Sequence, residues 1–163
     1  MCGIAGFWRD NSDQSTDWLE KTASTMVNTL VHRGPDDSGT WVDRAVGVAF
    51  GHRRLSIIDV SKAGHQPMIS ADGRFIITYN GEIYNFLKLR QQLEKKGHRF
   101  RGHSDTEVML ASFVHWGVES SVKKFNGMFA FALWDRQNRQ LWLARDRIGE
   151  KPLYYGVQNG TLF

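Results

Sequence analysis

A single cysteine stands in the 163 residues, so no disulfide can form within the chain. No basic stretch followed by an apolar run opens the sequence, as a secretory leader would require. Nor does any apolar run approach the ~18 residues of a membrane span. These absences predict a cytoplasmic protein with no membrane partner. The sequence also lacks a GxxxxGK[ST] phosphate loop and, among its six histidines, any HExxH or other close ligand set, so no metal is expected. No repeat, low-complexity tract or linker interrupts it. A large excess of either charge is lacking too: 21 Lys and Arg against 17 Asp and Glu leave a net formal charge of +4. Its densest basic cluster, Lys95, Lys96, His98, Arg99 and Arg101, falls where a helix ends, and cations there complement the helix dipole. Nucleic acid is therefore not an expected partner.

What remains is ordinary globular material, 41% hydrophobic and 23% charged. The length suits one domain that buries roughly 68–70% of its unfolded surface and needs no staple. The one cysteine, Cys2, lies directly behind the initiator. Removal of Met1 would give residue 2 both a thiol and a free α-amine, whose ordinary pKa of about 7.7–8.0 makes it a weak base at neutral pH. An N-terminal amine that activates its own nucleophile is a known route to acyl-enzyme chemistry. The competing reading is a buried cysteine in an apolar, glycine-rich strand over Gly3 to Trp8.

Asn11 to Thr16 reads as a polar loop, and Asp17 with Glu20 forms a capping box. Leu19, Ala23, Met26, Val27 and Leu30 mark one face of a helix that stops at His32 to Pro35. The turn-rich stretch from His32 to Gly39 follows. Two short strands, Thr40 to Val42 and Val46 to Phe50, are joined by Asp43 to Ala45. Arg53 and Arg54 suit a strand end that lines a pocket, where a guanidinium fork can bind a carboxylate, or else two surface arginines with their stems lying flat. Ile69 to Thr78 reads as a hairpin turning at Asp72-Gly73. Asn80-Gly81 is by default a second hairpin turn. Alternatively, an Asn amide and a Gly N–H adjacent in sequence aim two donors at one oxyanion.

Asn85 is placed to cap a helix carrying Phe86, Leu89 and Leu93, with Gly97 ending it. Ser104 to Glu107 is a capping box that opens a helix through Val108, Ala111 and Val114, ended by Gly117. Asp105 there either complements the dipole or holds a ligand ammonium. Met128 to Asp135 is a strand apolar on both faces, which predicts cover on both sides. Gln140 to Ala144 is a second strand. The charged stretch Arg145 to Tyr155 leads back to a strand, Gln158 to Gly160 turns, and a strand just begun at Phe163 suggests a piece of a longer chain. Helical segments between apolar strands imply an α+β domain with stacked sheets.

Six stretches carry a resemblance: Met1 to Gly6, His32 to Gly39, Gly51 to Asp59, Tyr79 to Asn85, Ser104 to Val108, and Asp146 to Tyr155. Together they resemble the N-terminal glutaminase domain of glutamine-dependent asparagine synthetases, class II glutamine amidotransferases within the N-terminal-nucleophile hydrolases. The resemblance implies a four-layer αββα sandwich of two mainly antiparallel sheets, with Cys2 at the start of a central strand. It also implies that Cys2 attacks the carboxamide of L-glutamine, while Asn80 and the Gly81 N–H stabilise the oxyanion. Arg54 would grip the α-carboxylate, Glu82 and Asp105 the α-ammonium, and backbone from Leu55, Ser56, Ile57 and Ile58 would complete the pocket. Arg53 receives no role. No cofactor is implied for residues 1–163. ATP and Mg2+ belong to a synthetase domain that nothing here matches, and that domain is the implied partner in a longer chain; the resemblance leaves a homodimer open. Two other readings are a related ATP-dependent amidotransferase with a different acceptor, and a non-catalytic domain that senses glutamine or binds a partner.

Overall fold

The computed structural model describes residues 1–9 and 14–163, so the first half of the loop expected over 11–16 lies outside the described residues. Two antiparallel sheets are stacked face to face, with helices on both outer faces. The first sheet has the order β2-β3-β1-β9-β8 and the second β4-β5-β6-β7. In the first, β1 (Gly3–Arg9) is central, flanked by β3 (Val48–Arg54) and the short β9 (Thr161–Leu162); β2 (Asp37–Asp43) and β8 (Val157–Gln158) form the edges. The second comprises β4 (Met68–Ile69), β5 (Phe75–Ile83), β6 (Gly127–Asp135) and β7 (Gln140–Arg145). This is the αββα sandwich expected. Among the described residues, no helix is long and apolar enough to cross a membrane.

Helix α1 (Thr16–Asn28) covers the first sheet by burying Leu19, Ala23 and Val27, and Leu19 and Ala23 pack on Phe7 and Ala49. Its cap differs from the expected box: Ser15 is the N-cap and its hydroxyl accepts the Trp18 N–H at 3.2 Å. Asp17 sits inside the first turn, where its charge complements the dipole. Strand β3 runs four residues past the expected end because β1 and β2 pair with both of its edges as far as Arg53. Its start is delayed because Gly47 takes φ +70° and its carbonyl accepts the Arg9 N–H.

Helices α2 (Phe86–Glu94), α3 (Asp105–Trp116) and α4 (Val118–Lys124) lie on the other side. Their shared core with the second sheet includes Phe75, Leu93, Phe113, Phe125, Phe129 and Phe131. Asn85 occupies the N-cap of α2 without capping it. Its carboxamide instead donates to the Lys124 carbonyl and accepts the Asn126 N–H, tying the start of α2 to the start of β6. Ser104 caps α3 as expected. The short α4 escaped sequence reading because seven residues rich in Ser, Glu and Lys show no apolar period. It begins at Gly117, whose φ of +78° also ends α3. Asn159 (φ 50°) and Gly160 (φ 72°) make the expected turn between β8 and β9.

Between the sheets lie Val48, Phe50, Ile76 and Trp134, the last three bulky and at most 2% exposed. Strand β6 therefore serves two cores by simple alternation. Phe129, Phe131 and Leu133 face the helices, whereas Ala132 and Trp134 face the opposite sheet. Two hydrogen bonds also cross the gap. Thr78 Oγ1 donates to the Gly51 carbonyl at 3.1 Å, and His52 Nε2 donates to the Tyr79 carbonyl at 3.0 Å. His52 is wholly buried with Nδ1 unpartnered. Burial pulls its pKa down to about 4, and the opposing pull of the Tyr79 carbonyl does not restore it.

His52 is thus neutral when folded and titrates near 6.5 when unfolded, so its contribution is complete above pH 6.5 and lost as pH falls toward about 4. Stability should decline by roughly 3 kcal/mol across that window, read as urea midpoints between pH 7 and pH 4. His52→Gln, which can keep the bond to Tyr79 without titrating, should flatten that part of the curve.

Candidate active site

Cys2 sits one residue before the central strand, where Gly3 pairs with Arg53 of β3. Its carbonyl accepts the Arg33 Nε–H at 3.2 Å. Its Sγ accepts the Leu55 N–H at 3.4 Å, with the Leu55 carbonyl 3.7 Å away. The half-buried thiol opens into a cavity of about 90 Å³. The turn-rich 32–39 stretch thus reaches the cavity through Arg33, which holds the backbone of Cys2.

Across the gap, Asn80 and Gly81 also line this cavity. They are not a hairpin turn. Strand β5 runs straight through them, paired with Ala130 and Phe129 of β6. Alternation puts Asn80 on the face that Ile76 and Thr78 turn toward the first sheet. A Cβ on Gly81 would meet the Met128 carbonyl oxygen, so glycine is required there by the close approach of β6.

The two arginines of β3 part company. Arg53 turns outward and donates to Asn28 Oδ1 at 2.7 Å, on the α1 side. Arg54, only 8% exposed, lines the cavity. Its Nη1 donates to the Ser61 carbonyl at 2.9 Å and its Nη2 to the Asp59 carbonyl, so it also closes the loop that follows β3. A Cβ on Gly64 would collide with that guanidinium. Leu55, Ile57 and Ile58 line the cavity. Ser56 does not: its N–H is taken by Asp36 Oδ2 at 2.8 Å, and it faces a neighbouring outer groove. Asp59 fixes the far end of the loop by accepting from Ser61 and His103. Its carboxyl is held below the usual range chiefly by the Ser61 hydrogen bond.

Besides Asp59, the acidic residues of the cavity are Glu82 and Asp105. Asp105 Oδ2 accepts from the Tyr79 hydroxyl at 2.7 Å and the Ile83 N–H at 2.9 Å, while Oδ1 accepts from Thr106 N–H at 2.9 Å. Burial raises its pKa, against the pull of those three donors, and burial likewise pushes the Tyr79 phenol well above its ordinary value. Asp105 thus joins α3 to β5 as well as facing the cavity.

Sequence reasoning gave no site role to several further lining residues, among them Gln66, Thr106, Met128 and Lys151. Gln66 accepts the Tyr79 N–H at 2.8 Å and donates to Thr106 at 3.3 Å. No local motif marks it. Lys151 had a signal, the one lysine of the charged stretch Arg145 to Tyr155, directly before Pro152, in a segment that proves not to return to a strand until Val157. Taken together, the site has a thiol held by a backbone N–H, two amide-type donors on the facing strand, and opposite charges at its two sides.

Residues 1–163 match a family described as the glutamine amidotransferase domain. Over its whole length the chain is 44% identical to asparagine synthetase [glutamine-hydrolyzing] 1 of Bacillus subtilis and 45% identical to asparagine synthetase [glutamine-hydrolyzing] 3 of the same organism. Over 98% of its length it is 42% identical to a putative asparagine synthetase [glutamine-hydrolyzing] of Mycobacterium tuberculosis. The chain spans about a quarter of these relatives, 25%, 26% and 26%. Glutamine phosphoribosylpyrophosphate amidotransferase from B. subtilis shares the fold, with a TM-score of 0.78 at 20% identity; the match covers 99% of this chain and 41% of that one.

Tyr79→Phe removes one of three donors from the buried Asp105 carboxylate. It should lower stability by about 1–3 kcal/mol in urea unfolding at neutral pH, where a surface tyrosine such as Tyr154, changed in the same way, has no measurable effect.

Proposed function

The chain belongs to the glutamine amidotransferase domain family, and we propose that its Cys2 cavity hydrolyses L-glutamine to L-glutamate and ammonia. The observation that carries this reading is the placement of Cys2 Sγ, held by the Leu55 N–H, in one cavity with Asn80 and Gly81 of the opposite sheet. Removal of Met1 frees the Cys2 α-amine. The thiol then gives its proton to that amine as sulfur attacks the carboxamide carbon. Asn80 and the Gly81 N–H take up the oxyanion, an interaction worth roughly 3–4 kcal/mol per donor in other acyl-transfer enzymes. As the tetrahedral intermediate collapses, the C–N bond breaks and the ammonium proton goes to the departing NH2, releasing ammonia. Water, deprotonated by the same amine, hydrolyses the thioester to glutamate, and the proton returns to sulfur.

Arg54 grips the α-carboxylate through the guanidinium surface that faces the cavity, while Glu82 and Asp105 bind the α-ammonium. Glutamine needs one cation and one anion on either side of its α-carbon, and Arg54 and the two carboxylates supply them. Backbone of Leu55, Ile57 and Ile58 forms the wall beside the thiol. None of these steps calls for a cofactor. We further infer that residues 1–163 form the glutaminase domain of a longer protein, in which the ammonia supports ATP- and Mg2+-dependent synthesis of asparagine from aspartate. The three relatives named above bear the name asparagine synthetase [glutamine-hydrolyzing], one of them with the prefix putative, and are about four times as long. A lone catalytic thiol favours a reducing compartment, the cytoplasm.

Intact mass should show loss of Met1 and, after treatment with a chloroketone analogue of glutamine, one adduct that excess glutamine prevents and Cys2→Ala abolishes. A processed chain that takes no adduct would sink the reading. Asn80→Ala should lower kcat for glutamine hydrolysis by about 10²–10³-fold with a much smaller change in KM, measured as glutamate release.

A further inference from the structure

Lys151 is a buried cation to which the glutaminase reading gives no part. It stands in the loop after β7, only 5% exposed, and lines the same cavity as Cys2. Its Nζ lies 2.9 Å from Met1 Sδ, a contact that goes when Met1 is removed. A thioether is a weak acceptor and leaves an ammonium essentially unmatched. The backbone that carries the lysine is firmly tied. Asp146 Oδ2 accepts the Lys151 N–H at 3.0 Å, Oδ1 the Glu150 N–H at 2.9 Å, and Asp146 exchanges hydrogen bonds with the Phe129 backbone of β6. Burial pushes the Asp146 carboxyl up, but these backbone donors outweigh it and bring it to about 2, so the anchor stays ionised through the working pH range. Phe129 is the register partner of Gly81. The lysine is therefore mounted on the same strand that backs the oxyanion donors.

Resting on the glutaminase reading, we propose that Lys151 is a positioning residue whose ammonium keeps the α-amine of processed Cys2 unprotonated, ready to take the thiol proton. Nζ touches Sδ of the residue joined to that amine, so the two nitrogens are separated by no more than that contact plus the length of one methionine side chain, within the same cavity. Two cations confined there repel. At such separations, in a medium between protein and water, the repulsion amounts to about one pH unit. Other charged or titratable groups face the amine as well: Arg33 and Arg54 on the cationic side, Asp59, Glu82 and Asp105 on the anionic side, and the Tyr79 phenol. Arg33 and Arg54 already donate to carbonyls, of Cys2 and of the 59–61 loop respectively. Among the described residues, Lys151 Nζ has only the thioether.

Because Cys2 is the only cysteine, 15N-cysteine labels one nitrogen, and its chemical shift in the processed protein reports the protonation of the amine directly. Lys151→Met should raise that midpoint by about one pH unit and move the acid limb of kcat/KM for glutamine upward equally, with activity near that of the parent protein at high pH. Lys151→Arg should stay close to the parent. Lys151→Gln provides the same neutral comparison should the Met variant not fold. An unmoved midpoint in a folded neutral variant overturns the proposal even if activity drops, as does an Arg variant that shifts as far as Met. A parent protein inactive on glutamine at every pH overturns the glutaminase reading itself, and the same assay reveals it before any variant is compared.

Discussion

The stacking of two sheets through a gap that is apolar at one end and polar at the other is the constraint on which everything else depends. Phe50, Ile76 and Trp134 fill the apolar part, and two hydrogen bonds, Thr78 to the Gly51 carbonyl and His52 to the Tyr79 carbonyl, fix β5 against β3. Those bonds fall two and one residues before Asn80. On the other side, β3 pairs with β1 from Gly3 onward. The relation between Cys2 and the Asn80-Gly81 pair is thus set by buried backbone contacts and not by the loops that decorate the cavity.

Three buried aspartates then organise those loops. Asp59 joins the loop after β3 to the residues before α3, Asp105 joins α3 to β5, and Asp146 joins the loop after β7 to β6. Each accepts backbone N–H groups, the obligatory donors that irregular segments cannot pair among themselves. A carboxylate with several acceptor positions satisfies more of them than any neutral side chain. The cavity walls are irregular in path yet fixed in place for that reason.

Legibility in the sequence followed the range of the interaction. The unalternating apolar run of β6 foretold cover on both faces, since alternation with one polar side would have been impossible between two cores. Ser104 announced its helix because a cap is a contact within four residues. Asn85 misled for the converse reason: its partners, Lys124 and Asn126, lie about forty residues away and outcompete the local N–H groups. Asn80-Gly81 has the composition of a turn, and only the approach of β6 explains a glycine in a continuous strand. Gln66 and Thr106 join the cavity through pairings that no local pattern records. Ser56, adjacent to true wall residues, is drawn away by Asp36.

Chain termini ordinarily fray, and a nucleophile placed on one would wander over several ångströms. Here the residue after Cys2 is already locked into a central strand, and Arg33 holds the Cys2 carbonyl. The conformational freedom of the nucleophile is surrendered once, during folding, and not again in every turnover. What stays adjustable is the rotation of one thiol about a single bond. A terminus built this way behaves mechanically like the middle of a chain while keeping the chemistry of an end.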